Sequence, residues 1–294
     1  MRIAMMLSPL LVGCTSDYAL NPEPMLAQGG VWDYEAPDPD APDEPDPEED
    51  DTPPDLTLEA IDVALIIGYQ CVERSGGGDG VQVEVEGVEQ ILDELGVGVV
   101  DVFSETAEGW DGDASLFGYD AVLYTRCGWQ WQGYNAPTID ALFDARAEGV
   151  GVLFFGDDSA FGLGNLTNAE DATELIGLQP ATRNGNPTEM VMEADALTMV
   201  LSDDFAAPET FAYRWDIDIT ELAPVRPDVT VSVLARRGDT SSPSWIAQTW
   251  DTGGDTITLL ASVTEANHGP PSDEHGLEQL RRIFAHSLSW VAGL

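Results

Sequence analysis

The chain has no lysine. Its 11 basic residues are all arginine, and they stand against 54 aspartates and glutamates, a formal net charge of −43. Histidine and cysteine are scarce too, at three each in 294 residues. These shortages exclude several functions. Nucleic acid binding needs a basic footprint, and none exists. Adsorption to anionic lipid through surface charge is disfavoured for the same reason. His268, His275 and His286 include no i, i+4 pair for zinc. Asp111-Gly112-Asp113 starts like a calcium loop but lacks the later spacing and terminal glutamate. Gly76-Gly77-Gly78 lacks the dinucleotide spacing, and without lysine there is no P-loop. No metal and no cofactor is therefore expected.

What is present is an ordinary apolar fraction, 43%, enough to build a core. The acid excess is not confined to one tract. Residues 58–294 hold 40 acids and 10 arginines, so that part alone carries about −30. Such a surface keeps a protein soluble in salty surroundings; recruitment of cations is the alternative reading.

The amino terminus reads as an address. Met1-Arg2 is a minimal basic region, and Ile3 to Val12 is an apolar run too short to span a bilayer as a mature helix. Leu11-Val12-Gly13-Cys14 then resembles the lipobox of bacterial lipoproteins. That resemblance implies a signal peptide at 1–13, acylation of Cys14 and partnership with a lipid membrane. Two or three acyl chains anchor stably where one does not. Thr15 and Ser16 after the cysteine point to the cell envelope, at the periplasmic face of the outer membrane or the cell surface. Residues 14–57 carry no periodic apolar pattern, and from Asp33 to Asp55 proline alternates with aspartate and glutamate, which predicts an extended, disordered tether.

From residue 58 the pattern changes to one α/β domain, 58–294. Asp62–Ile67, Val97–Phe103 and Tyr119–Thr125 read as strands. Val88, Ile91, Leu92 and Leu95 mark a helix face that Gly96 ends. Pro137 opens a helix that Gly149 stops. The chain is organised around the next stretch, Gly149-Val-Gly-Val-Leu-Phe-Phe-Gly-Asp-Asp-Ser159. Its apolar run reads as a buried parallel strand, and its acidic turn lies where open α/β sheets bind ligands. Later come a helix at Ala169–Ile176 and strands at Glu189–Glu193 and Val229–Leu234. Trp245–Trp250 and Thr256–Ala261 flank a hairpin loop, and Leu277, Leu280, Phe284, Leu288 and Val291 line a terminal helix.

This order of pieces resembles the class I glutamine amidotransferase-like fold, and within it the ThuA-like branch. The matching segments are Tyr119–Thr125, Ile139–Arg146 into Gly149-Val-Gly-Val-Leu-Phe, Thr173-Glu-Leu-Ile-Gly177, Val231-Ser-Val-Leu-Ala235, Trp245-Ile-Ala-Gln-Thr-Trp and Ser289-Trp290-Val-Ala-Gly293. The resemblance implies a flavodoxin-like three-layer sandwich, its sheet mostly parallel with an added β-hairpin. Active amidotransferases carry a Gly-x-Cys-x-Gly elbow and a late His-Pro-Glu. Here the turn reads Gly156-Asp157-Asp158-Ser159-Ala160, and His268 is followed by Gly269-Pro270. ThuA-like relatives often place a histidine where Asp157 stands. A non-catalytic binding or structural module is the expectation.

The alternative is a sugar-active hydrolase using Asp157, Asp158 and His268 in an acidic pocket. Local turn chemistry explains the two aspartates equally. Tyr69, Trp110, Trp129, Trp131 and Tyr134 fall in loops at the carboxyl edge of the sheet. They and Ser159 make carbohydrate a candidate ligand, and lids over a core are the other use of such aromatics. Cys71 and Cys127 each follow a strand. If those strands are neighbours about 4.8 Å apart, a disulfide can join them outside the cytoplasm. A nucleophilic Cys127 is the rival. Oligomeric state is left open by the sequence.

Overall fold

The computed structural model describes residues 58, 61–68, 80–105, 115–125, 134–156, 159–160, 163, 169–182, 187–193, 210–216, 218–261, 263 and 274–294. All belong to one compact unit, Thr52–Leu294. The signal, Cys14 and the tether lie outside the described residues.

The parallel part of the fold is built from β-α-β units. Strand β1 (Asp62–Ile67) leads through α1 (Gly80–Glu94) to β2 (Val99–Ser104). Strand β3 (Ala121–Thr125) leads through α2 (Ala136–Ala147) to β4 (Gly151–Phe155). Then come α3 (Ala169–Ile176), β5 (Pro187–Met192), β6 (Thr210–Asp216), β7 (Val229–Arg237), β8 (Pro243–Trp250), β9 (Thr256–Leu259) and α4 (Glu274–Val291). The nine described strands form one sheet in the order β2-β1-β3-β4-β9-β8-β7-β5-β6. The first five are mutually parallel; the pairs β9–β8, β8–β7, β7–β5 and β5–β6 are antiparallel.

The local reasons are plain. Pro137 sits in the first turn of α2, where its missing N–H costs nothing. Gly96 and Gly149 take positive φ, 70° and 101°, just past α1 and α2. Every residue of β3 and β4 is buried, as in a strand covered on both faces.

The two coverings can be traced by register. Tyr124 pairs with Phe154, and Phe154 with Thr258. On that face Thr138 of α2 reaches across to the end of β2, and Thr258 donates to the Ile176 carbonyl of α3 at 2.8 Å. On the other face Phe155 packs edge-on against Phe284 of α4 at 5.3 Å, and Trp245 Nε1 donates to Ser287 Oγ at 3.1 Å. The result is helix, sheet, helix, with Leu65, Leu123, Leu153, Ile257, Leu280 and Leu288 fully buried between the layers or nearly so. Each such side chain contributes about 1.5–3 kcal/mol.

The α/β class, the parallel sheet and the hairpin across Asp251–Asp255 are as expected from the sequence. The antiparallel part is larger than the expected hairpin: β6 adds an edge strand beyond β5. Phe211, Tyr213 and Trp215 alternate within it, the period of a strand.

Candidate functional site

Connections leave β1 and β3 in opposite directions along the sheet, so the topological switch point lies between them. Ligands of open α/β sheets bind outside the carboxyl ends of the strands at that point. The strand ends there are laced together beyond the last ladder pairs. Glu105 N–H donates to the Ile67 carbonyl at 2.9 Å, and Gly68 N–H to the Thr125 carbonyl at 3.2 Å. Gly156 N–H bridges the carbonyls of Leu259 (3.1 Å) and Ala261 (3.2 Å). Gly156 has φ 129°, a backbone position closed to side-chain-bearing residues at little cost.

A buried polar cluster caps these ends. Glu105, 4% exposed, follows β2 directly. Its carboxylate accepts the Tyr124 hydroxyl at 3.1 Å and, more tightly, the Thr138 hydroxyl from the first turn of α2. The Tyr124 ring lies 5.5 Å from Tyr134 and 5.9 Å from Phe154. Tyr134 then donates its hydroxyl to the Ser159 carbonyl at 2.9 Å. The cluster therefore runs from the end of β2, across β3 and the start of α2, into the turn after β4.

Three buried hydroxyls, Ser159 Oγ, Thr125 Oγ1 and Ser244 Oγ, have no hydrogen-bond partner among the described residues. A buried polar group left unpaired costs about 1–3 kcal/mol. Ser159 is fully buried in the turn after β4. Thr125 pairs with Phe155, which puts it on the α4 face by strand alternation.

Of the site residues expected from sequence, the structure brings Tyr134 and Ser159 together. Tyr134 is 3% exposed and packs in the core, so its hydroxyl rather than its ring face is its working part. Asp157, Asp158, His268, Tyr69, Trp129, Trp131, Cys71 and Cys127 lie outside the described residues. Sequence reasoning misses Glu105, Tyr124 and Thr138: a Tyr within an apolar strand and a Thr at a helix start carry no signal of their own. Glu105 had the same signal as Asp157: a carboxylate directly past the carboxyl end of a parallel strand.

A shallow depression bounded by Glu174, Gly177, Pro224, Arg226, Val231 and Gln248 lies at the opposite end of the sheet, near the start of β9. It is too small for an organic ligand. Beside it the Arg146 guanidinium stacks 4.0 Å over the Trp250 ring and donates to the Thr252 carbonyl at 2.7 Å. That arrangement clamps the β8–β9 loop to the end of α2.

Similarity to known proteins enters at the level of architecture. A ThuA-like protein from Parabacteroides merdae superposes with a TM-score of 0.55 at 12% identity, over 79% of this chain and 90% of that one. The fold is ThuA-like. A cytoplasmic protein from Salmonella typhimurium LT2 matches with a TM-score of 0.50 at 15% identity, over 78% of this chain and 99% of that one. An exo-β-1,4-mannosidase from an Opitutaceae bacterium matches with a TM-score of 0.51 at 13% identity, over 78% of this chain, which spans 36% of the mannosidase. No family model and no curated protein matches the sequence. At these identities the ThuA-like likeness speaks for the fold alone.

Proposed function

We propose that this chain is an extracytoplasmic lipoprotein, anchored by acylated Cys14, whose ThuA-like domain binds a small polar ligand without glutaminase chemistry. One observation carries the reading. In the turn after β4, Ser159 stands near the position of the amidotransferase thiol, fully buried and with its Oγ unpartnered among the described residues. Its carbonyl is held by Tyr134. Ser159, Tyr134 and Glu105 gather at this end of the sheet, and their hydroxyl and carboxylate groups are of the kind that bind sugars. The tether would hold this edge away from the membrane. In the envelope, a Cys71–Cys127 bridge would staple the loops that follow β1 and β3. The ladder supports it, because Ile67 and Thr125 are direct neighbours at the ends of those strands.

The test has two arms. Radiolabelled palmitate should enter the wild-type chain and not Cys14→Ala. A thermal-shift screen of the intact protein against a monosaccharide and disaccharide panel should give at least one stabilising sugar that Ser159→Val abolishes. Hydrolysis of glutamine, or no stabilisation by any sugar, would sink the ligand reading.

A sugar-active enzyme is the second reading. Glu105 favours it, as a carboxylate directly past the carboxyl end of β2, just as Asp157 and Asp158 follow β4 in the sequence. Paired carboxylates are the machinery of glycoside hydrolysis. Release of nitrophenol from an aryl-glycoside panel, lost in Asp157→Asn, would establish it over the binding module.

A further inference from the structure

The parallel half of the sheet ends on β2, and β2 breaks a rule its neighbours keep. Parallel strands of α/β sheets are covered on both faces, and β1, β3 and β4 are buried along almost all of their lengths. No residue of Val99–Ser104 is buried. Val99 is 46% exposed and Val102 39%. Alternation puts these two valines on opposite faces, so each face is partly open. Phe117, in the turn that leads into β3, adds another exposed apolar ring at 56%.

The edge also lacks the usual protection against pairing. β2 contains no lysine and no proline, and its six-residue register with β1 runs without a bulge. Its one charge, Asp101, accepts the Tyr119 hydroxyl at 2.7 Å. Burial and then that bond push the Tyr119 hydroxyl up to about 12, so it remains a donor throughout the physiological range. No described strand pairs with the outer side of β2.

The charge of the described residues at this end of the sheet is one-sided. Residues 80–105 and 115–125 hold eight acids and no base, whereas four described arginines, Arg214, Arg226, Arg236 and Arg237, fall in the antiparallel half. We propose that the outer edge of β2 is a strand-addition site for an extended segment of a partner protein in which lysine or arginine alternates with apolar residues. Main-chain N–H and C=O groups of β2 supply the affinity, and Val99 and Val102 supply apolar contact. The surrounding carboxylates select a basic partner and speed its approach. A second copy of this chain is a poor occupant, because it would bring the same base-free acidic end against itself.

Hydrogen exchange of the intact chain, read residue by residue, tests this. The probe is a capped hexapeptide of alternating lysine and valine. Alternating glutamate and valine, and the lysine peptide N-methylated at every second residue, are the controls. The lysine peptide should slow exchange of amides within 99–104 by roughly tenfold or more. The controls should not, and 1 M salt should weaken the effect. Val102→Lys and Val99→Lys are both partly exposed positions, and at least one should fold normally and lose protection. No slowing, equal slowing by both charges, or protection retained in both variants would overturn the proposal. So would protection that rises with protein concentration in the absence of peptide, because a second copy would then occupy the edge.

Discussion

Arg237 concentrates the electrostatics of the antiparallel half in one side chain. It is fully buried, and its guanidinium forks onto Asp239 through two 2.9 Å bonds. Asp239 is half-exposed, and the bonds from Arg237 hold its carboxyl below the ordinary aspartate range. A depressed carboxyl contributes stability that is complete above its unfolded pKa, near 4, and lost as pH falls through the folded value. Asp239→Asn should therefore destabilise at pH 7 by about 1 kcal/mol, after allowance for the exposure of the partner. Urea melts should show the gap to wild type closing below about pH 4. A gap that is constant from pH 7 to 3 would refute the charge account. Asp255 has the opposite sign. Burial raises its carboxyl, while the Trp250 N–H and Arg146 pull it back. Its ionised form is thus a cost that lessens as pH falls.

At the scale of elements, the tightest junction is α4 on β4. A Cβ built on Gly151 would lie 1.9 Å from the Val291 carbonyl oxygen, so backbone rather than a movable side chain blocks it. Gly151→Ala must push the end of α4 off the sheet, and a loss of about 1–3 kcal/mol in a denaturant melt is expected. An unchanged midpoint would mean that α4 is less closely docked than it looks. This glycine also shows what was legible in the sequence. Gly149-Val-Gly-Val announced a strand through its apolar run, and α3 was readable to the residue because Ala169–Ile176 has clean helical periodicity. Why residue 151 is glycine was not readable, because the blocking atom is 140 positions away in sequence. The site divides the same way. The turn after β4 was marked by its own residues, whereas Glu105, Tyr124 and Thr138 form a cluster only once β2, β3 and α2 meet. Local pattern reports elements; convergence of elements is a long-range fact.

For the molecule as a whole, charge is the dominant feature. About −30 on residues 58–294 repels itself across a domain in which few acids have a basic partner to pair with. At 0.1 M salt the screening length is about 10 Å, and at 1 M about 3 Å. Raising sodium chloride from 0.1 to 1 M should stabilise by about 1 kcal/mol, roughly 2–4 °C in Tm. Tetramethylammonium chloride at equal ionic strength should do the same. A gain given by calcium at millimolar levels but not by either salt would favour bound cations over screening. The strand order has a consequence of another kind. The fifth parallel strand, β9, pairs with β4 about 100 residues upstream, after the whole antiparallel half has been made. Until residue 259 has emerged, β4 has an open, wholly apolar edge in the middle of the future core. A chain crossing a membrane amino terminus first would carry that edge unsatisfied for almost its entire passage. The centre of the sheet thus closes late, and the period of greatest exposure to aggregation or chaperone capture is set by synthesis rather than by final stability.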